Sequence, residues 1–355
     1  MTNVIDIIEC QITDKLKEQK IVCDDLLNPR GLAFTGTGDL LLIEAGAGEV
    51  KPPYSGQLTI RDRNSGRNKQ TLLCGYRALN MQQRMLRDEI MGLADLAPTQ
   101  AEQTDDSSWM VSFTDYINGS KIIEVQGDKA VPVFETQGNI NSLCYHPVRN
   151  AWYCIKPDTN EVVEFIRNQP ERVVCKLPDL ALAQEPVPVN IVCQASTGQL
   201  LVSLFSGELG RGDKFKGIDF VKEQGAIISV DPQSGEVTEL VNGLTLPTGL
   251  CITDDDKLLV TELCDDFLQP LSPEGISGEP LHGGFKRFSG RLLQIDLAMG
   301  RVEILATSLD TPSNLAVYQQ SIYISEGMGL PGRPIPSING EIQPLRGYIR
   351  QLKIG

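Results

Sequence analysis

An all-β chain folded as a six-bladed β-propeller is predicted by three features of this sequence. First, one phrase occurs three times: NPRGLAFTGTGDLLLIEAG at 28–46, LPTGLCITDDDKLLVTEL at 246–263 and TPSNLAVYQQSIYISEG at 311–327. Each copy reads as Pro–x–(Gly/Asn)–Leu, a turn, an apolar strand and a closing Glu. Pro29 to Glu44 and Pro247 to Glu262 are the same distance apart, and Pro312 to Glu326 is one residue shorter. Second, three hairpins share an Asp–x₃–Gly turn: Asp62 to Gly66, Asp231 to Gly235 and Asp296 to Gly300. Third, short apolar strands bounded by turn residues recur along the whole chain. A long-period repeat of this kind implies a ring or array of sheets.

The elements follow in order. Val4, Ile8, Ile12 and Leu16 lie at helical spacing, so residues 1–19 are expected to form a short amphipathic helical segment, packed on the body or against a dimer partner. Residues 20–355 then form one propeller domain. Blade one has strands Gly31–Phe34, Leu40–Glu44, Gln57–Asp62 and Lys69–Cys74. Blade two has Gly92–Ala97, Trp109–Asp115, Lys121–Val125 and Ala130–Glu135. Blade three has Ile140–Tyr145, Ala151–Lys156, Glu161–Ile166 and Arg172–Lys176. Blade four has Val189–Gln194, Leu200–Phe205, Ala226–Val230 and Val237–Val241. Blade five has Gly249–Ile252, Lys257–Glu262, Arg291–Asp296 and Val302–Ala306. Blade six has only Asn314–Val317, Ile322–Glu326 and Tyr348–Lys353, so its outer strand must come from Gln19–Cys23. That pairing closes the ring and removes exposed sheet edges.

Loop lengths separate the two faces. First-to-second strand turns are short, except for Thr99–Ser108 in blade two. Second-to-third strand connections are long in blades one, four, five and six, and the link Gly75–Met91 carries a helical-looking run, NMQQRMLRDEIM. The long connections share the face where inner strands begin and second strands end, which is where function is expected.

Composition limits the partners. A formal net charge of −14 argues against nucleic acid and anionic membrane surfaces, which require a concentrated cationic face. No stretch reaches membrane-span length, and the N-terminus MTNVIDIIEC lacks the basic and apolar regions of a signal peptide. The nine cysteines include no CxxC and mostly sit in apolar strands, so they read as reduced core residues of a cytoplasmic protein. Nothing suggests a nucleotide, flavin or haem site.

The Pro–x–Gly–Leu…Leu–Leu–x–x–Glu units resemble the six-bladed propellers of the calcium-dependent phosphotriesterase superfamily, which includes gluconolactonase/regucalcin, paraoxonase and strictosidine synthase-like proteins. The first unit, NPRGLAF…LLLIEAGAG, is similar to propeller proteins of the cyanobacterial scytonemin cluster. The resemblance covers nearly the whole chain. In the gluconolactonase group it implies a central calcium held by Glu, Asn and Asp at inner-strand starts, and here those starts carry Asn141, Asn190 and Asn314. Thr248 stands at the family's Asp position, and Asn28–Pro29–Arg30 replaces its Glu.

Candidate site residues gather on the long-loop face. Second strands end in Glu44, Asp115, Lys156, Glu262 and Glu326, and inner-strand starts add Arg30, Asn139, Asn141, Asn190 and Asn314. Glu262, Glu326 and Glu44 are expected to form an acidic arc whose repulsion and burial would raise one carboxyl for acid–base catalysis, and Asp115 on the same rim is a further catalytic candidate. The same oxygens could hold calcium or cap strand ends. Arg211, His282, Arg287 and Phe285 in the loops, with Arg30, Lys156 and Tyr116, would bind an anionic or aromatic small molecule. Three functions fit. The first is a small-molecule enzyme of specialised metabolism working by carboxylate acid–base chemistry, such as cyclisation or condensation. The others are a metal-dependent lactonase or esterase, and a non-catalytic binding propeller.

Overall fold

The computed structural model describes residues 4–7, 10–47, 54–77, 90–100, 107–207, 221–265, 286–328, 334–336 and 341–354. The chain opens with β1 (Ile5–Asp6), β2 (Gln11–Ile12) and the long β3 (Leu16–Leu26). Blade one is β4 (Pro29–Phe34), β5 (Leu40–Glu44), β6 (Gly56–Arg61) and β7 (Asn68–Tyr76). Blade two is β8 (Ile90–Pro98), β9 (Trp109–Asp115), β10 (Ser120–Gln126) and β11 (Lys129–Thr136). Blade three is β12 (Ser142–His146), β13 (Ala151–Lys156), β14 (Glu161–Phe165) and β15 (Arg172–Lys176). Blade four is β16 (Pro188–Cys193), β17 (Leu200–Leu204), β18 (Gly225–Val230) and β19 (Val237–Leu244). Blade five is β20 (Pro247–Ile252), β21 (Leu258–Glu262), β22 (Gly290–Asp296) and β23 (Arg301–Leu309). Blade six has β24 (Asn314–Tyr318) and β25 (Ser321–Glu326), then a small hairpin of β26 (Pro334–Pro336) and β27 (Ile342–Pro344), then β28 (Gly347–Ile354). Its sheet order is β24-β25-β28-β3, so the ring is closed by a strand from the chain's beginning, as the sequence predicts.

Both faces of every blade are buried against neighbours, and that accounts for second strands that are buried along nearly their whole length. Along β5, Leu41 and Ile43 enter the cluster shared with Leu93, Trp109 and Val111 of blade two. The alternate residues Leu40 and Leu42 pack with Val22, Leu26, Tyr323 and Ile349 of blade six. The period-two alternation of a strand therefore feeds two different cores. Six such clusters fill the six gaps between blades. The Asp–x₃–Gly hairpins form as expected. Asp62 Oδ1 accepts the N–H groups of Asn64 and Ser65, Asp231 Oδ1 those of Gln233 and Ser234, and Asp296 Oδ1 those of Ala298 and Met299. Gly66, Gly235 and Gly300 close these turns at positive φ of 69°, 74° and 64°, where a Cβ would be strained.

Two expectations need correction. The helix over residues 1–19 does not form among the described residues. Ile12 is 74% exposed and Val4 43%, so the helical stripe has no surface to cover. The segment instead adds β1 parallel to β19 and β2 parallel to β23, satisfying backbone groups on the outer edges of blades four and five. Cys74 is exposed on outer strand β7 and not a core residue, although none of the nine cysteines is in a disulfide. The helical run at 80–91 lies largely outside the described residues. No helix among the described residues is long and apolar enough to cross a membrane.

Ring closure yields a test. Deleting residues 1–26 removes β3 and with it Val22, Cys23 and Leu26 from the core between blades six and one. The truncated chain should be insoluble or unfolded by circular dichroism; a stable monomer would show that β3 is dispensable.

Candidate active site at the propeller axis

Polar groups reach the axis through a repeated defect in the inner strands. In blades one, two, four and five the inner strand carries one extra residue against its partner, at Pro29–Leu32, Leu93–Leu96, Pro188–Asn190 and Pro247–Leu250. Such bulges re-aim side chains. The backbone N–H groups they release are met by hydroxyls on the second strands. Asp95 N–H donates to Ser112 Oγ at 3.0 Å, Asn190 N–H to Ser203 Oγ at 3.0 Å and Gly249 N–H to Thr261 Oγ1 at 2.9 Å.

The centre is a hydrogen-bonded cluster drawn from four blades. Asp95 Oδ1 accepts from Leu96 N–H at 2.9 Å and Asn314 Nδ2 at 3.1 Å, and its Oδ2 accepts the Ser142 hydroxyl at 2.5 Å. Asn314 Oδ1 in turn accepts Leu315 N–H at 2.9 Å and Asn190 Nδ2 at 3.4 Å. Two glycines make room for this cluster. A Cβ on Gly31 would lie 2.8 Å from Asp95 Cα, and one on Gly249 2.8 Å from Asn314 Cα. Arg30 and Asn141, half-buried, join the cluster: Arg30 Nη2 donates to Asn141 Oδ1 at 3.0 Å, and Asn141 Nδ2 to Val189 O at 2.9 Å. Burial pushes the Asp95 carboxyl up to about 6, although Ser142, backbone N–H groups and the Arg30 charge all pull it down. Asp95 lies inside the sequence-predicted inner strand of blade two but is absent from the expected site.

The carboxylates expected to form an acidic arc are each taken up within their own blade. Glu44 accepts Leu27 N–H at 2.8 Å, Gln57 Nε2 at 2.8 Å and Arg61 Nη2 at 2.9 Å. Glu262 accepts Thr245 N–H at 2.6 Å and pairs with Arg291. Glu326 accepts Asp310 N–H at 2.6 Å and the Tyr348 hydroxyl at 3.0 Å, and pairs with Arg350. One device thus recurs three times: a buried Glu ties a third-strand Arg to the loop that leads into the blade. Burial raises the Glu262 and Glu326 carboxyls, opposed by their arginines.

Other expected site residues are likewise committed. Lys156 stands where these blades have Glu, and the charges are reversed: it donates to Glu171 Oε1 at 2.7 Å and to Thr136 Oγ1 at 2.5 Å. Asp115 caps its own turn through Ile117 N–H at 2.9 Å and Asn118 N–H at 2.8 Å, and Tyr116 donates to Asp158 Oδ1 at 2.8 Å. Arg287 is only 3% exposed and is not part of a solvated collar. It grips Asp310 through Nε at 2.9 Å and Nη2 at 2.5 Å and donates to Gln343 O at 2.9 Å, because the buried Asp310 needs a counter-charge. Arg211, His282 and Phe285 lie outside the described residues.

No protein-family model matches the sequence, and no curated protein matches it. Solved structures match its fold. A Bacteroides thetaiotaomicron protein of unknown function aligns at TM-score 0.58 and 10% identity, over 95% of this chain and 76% of its own. A streptogramin B lyase aligns at TM-score 0.50 and 11% identity, over 95% and 98%. A putative gluconolactonase aligns at TM-score 0.42 and 9% identity, over 97% and 94%. For the first two the likeness, at such identities, is one of fold.

The Glu–Arg devices are testable as stability elements. Glu262→Gln or Glu326→Gln leaves a half-buried guanidinium without its counter-charge, and each should lower unfolding free energy by about 1.5–3 kcal/mol in urea titrations. Full stability in both variants would show that the pairs do not hold the blades.

Proposed function

We infer that this protein is a small-molecule enzyme in which Asp95 is the acid–base group and Arg30 binds an anionic part of the substrate. One observation carries the reading: a carboxyl buried at the axis of the ring, raised to about 6, is bonded by neutral side chains and a backbone N–H and feels Arg30 at longer range. A group titrating there holds its proton in part near neutral pH and can either donate or accept one. Ser142 and Asn314 orient the carboxyl, while the guanidinium of Arg30 suits a carboxylate or another planar anion. The chemistry this arrangement supports is proton transfer to or from a small organic anion, as in cyclisation, condensation or elimination. The fold is shared with a lyase, which is consistent with such chemistry and does not by itself assign it.

The calcium implied by the resemblance does not fit the donors present. Calcium takes six to eight oxygens, commonly several carboxylates. Here Asn141 Oδ1 accepts a guanidinium, Asn314 Oδ1 accepts two N–H groups, and Asp95 is the one carboxylate in the cluster described above. Among the described residues no three His, Cys, Asp or Glu side chains are grouped to hold a metal. Arg30 already supplies positive charge near Asp95. Excess chelator should therefore leave Tm unchanged; a fall in Tm reversed by calcium would restore the metal.

The ionisation of Asp95 sets a second test. Its folded pKa lies above the ordinary 3.8, so the stability it contributes is complete at low pH and is lost as pH rises through about 6. Asp95→Asn cannot ionise. Its stability relative to wild type should improve by roughly 2 kcal/mol between about pH 4.5 and about pH 7.5, read from urea unfolding. A difference independent of pH would mean that Asp95 titrates normally. For function, a panel of small organic acids would be screened by thermal shift. Arg30→Gln should abolish the stabilisation, whereas Asp95→Asn should retain binding and lose about a hundredfold in turnover. Undiminished turnover in Asp95→Asn would remove Asp95 from the chemistry.

A further inference from the structure

The N-terminal segment lies across two blades to which it does not belong. β1 pairs with β19 through Ile5 to Val241 and Asp6 to Asn242, and β2 pairs with β23 through Gln11 to Glu303 and Ile12 to Ile304. Thr13 N–H adds one bond to Ile304 O at 3.1 Å, and Lys15 pairs with Glu303. Between the two ladders Ile7, 3% exposed, is buried in the gap between blades four and five, among residues that include Val241, Leu244, Leu250 and Ile304. The receiving surface is shaped for it. Gly243 sits at φ +80°, and a Cβ there would lie 3.2 Å from both Asp6 Oδ1 and Ile7 Cγ1.

The attachment is slight beside that of β3, which runs along β28 from Leu26 opposite Gly347 to Leu16 opposite Ile354. Each ladder of the segment is two residues long, and among the described residues Ile7, with the partly buried Ile5 and Cys10, anchors it. A turn at Asp14–Lys15 joins it to β3. The edges beneath can accept a strand: unlike outer strand β11, which carries Pro132, β19 and β23 contain no proline.

We propose that β1, Ile7 and β2 form an exchangeable strap, and that the groove on blades four and five is an interaction surface for the same elements of a second copy of this chain. The exchanged contacts are the contacts seen within one chain, so exchange changes only the connection at the Asp14–Lys15 turn. In the wild type the tethered strap has the advantage of effective concentration, which keeps exchange minor. The pairing in exchange is reciprocal, so two copies close on each other without leaving a free groove.

Two full-length variants separate the halves of this surface. Ile7→Asp spoils the strap and leaves the groove intact, and Gly243→Val fills the groove and leaves the strap intact. Asn242→Pro replaces Gly243→Val should the latter not fold by circular dichroism. Each variant alone should be monomeric by light scattering and show faster amide exchange on β19 and β23. Mixed one to one, they should form a heterodimer of doubled mass, with protection restored on the Ile7→Asp partner only. A mixture that stays monomeric overturns the proposal, as does unchanged amide exchange in both variants, since the strap would then not release. Dimers in either variant alone would also overturn it, because they would arise from another surface.

Discussion

Each sheet in this ring must bury both of its faces, and most other features follow from that constraint. A four-stranded blade packed on two sides has no solvent face, so β5, β17, β21 and β25 are buried at nearly every position. Each fully buried Leu or Ile contributes roughly 1.5–3 kcal/mol, and the six inter-blade clusters repeat that contribution around the circle. Such a ring tolerates no gap. A missing outer strand in blade six would expose β28 and half of one cluster, so the segment from Leu16 to Leu26 is drawn back across the full chain length to fill it. Most of the polar groups inside are paired. Strand ends use Glu with Arg, or Lys156 with Glu171, and bulged inner strands use hydroxyls from the strand behind.

The architecture was legible because its cause is periodic. Strand alternation, the Pro–x–Gly–Leu phrase and the Asp–x₃–Gly hairpins each repeat with the blade. Even the closing role of β3 followed from counting three strands where four are required. The N-terminal segment was misread for an equally physical reason. Val4, Ile8, Ile12 and Leu16 have helical spacing, but the segment's conformation is decided by unpaired edges on blades four and five, which local pattern does not reveal. The site was only half legible. Inner-strand Asn141, Asn190 and Asn314 and Arg30 do gather near the axis. The closing Glu residues were conspicuous by repetition, and repetition is the mark of a structural device, since a catalytic group is needed once. Asp95 repeats nowhere in the other inner strands, and a lone carboxylate within the apolar run GLADLA was the signal that could have singled it out.

The difference between these carboxylates is one of partner charge. Glu44, Glu262 and Glu326 each have a guanidinium in direct contact, so proton uptake would break an ion pair as well as a hydrogen bond. Asp95 is surrounded by a hydroxyl, an amide and backbone N–H groups, and Arg30 acts on it from farther away. Loss or gain of its proton therefore changes charge without dismantling a salt bridge. A neutral hydroxyl and amide can also rotate to offer either a donor or an acceptor. That adaptability distinguishes a group suited to proton transfer from one that clamps a strand.

Keeping such a group has a physical consequence. With its carboxyl raised from 3.8 to about 6, ionised Asp95 costs roughly 3 kcal/mol of folding free energy at neutral pH. That is a large share of the 5–15 kcal/mol by which domains are usually stable. An Asn at this position would have no charge to bury but would turn an amide N–H2 toward donors that the carboxylate accepts from, and a hydrophobic residue would leave Ser142 and Asn314 in need of partners. Buried carboxyls shifted by desolvation beside a cationic group concentrate at functional sites. The same logic accounts for the glycines beside it. Gly31 and Gly249 forgo side-chain packing where the other inner strands supply side chains, and what their absence admits is Asp95 and Asn314. Beside Asp95 and Asn314 the axis thus gives up side-chain packing to make room for polar groups.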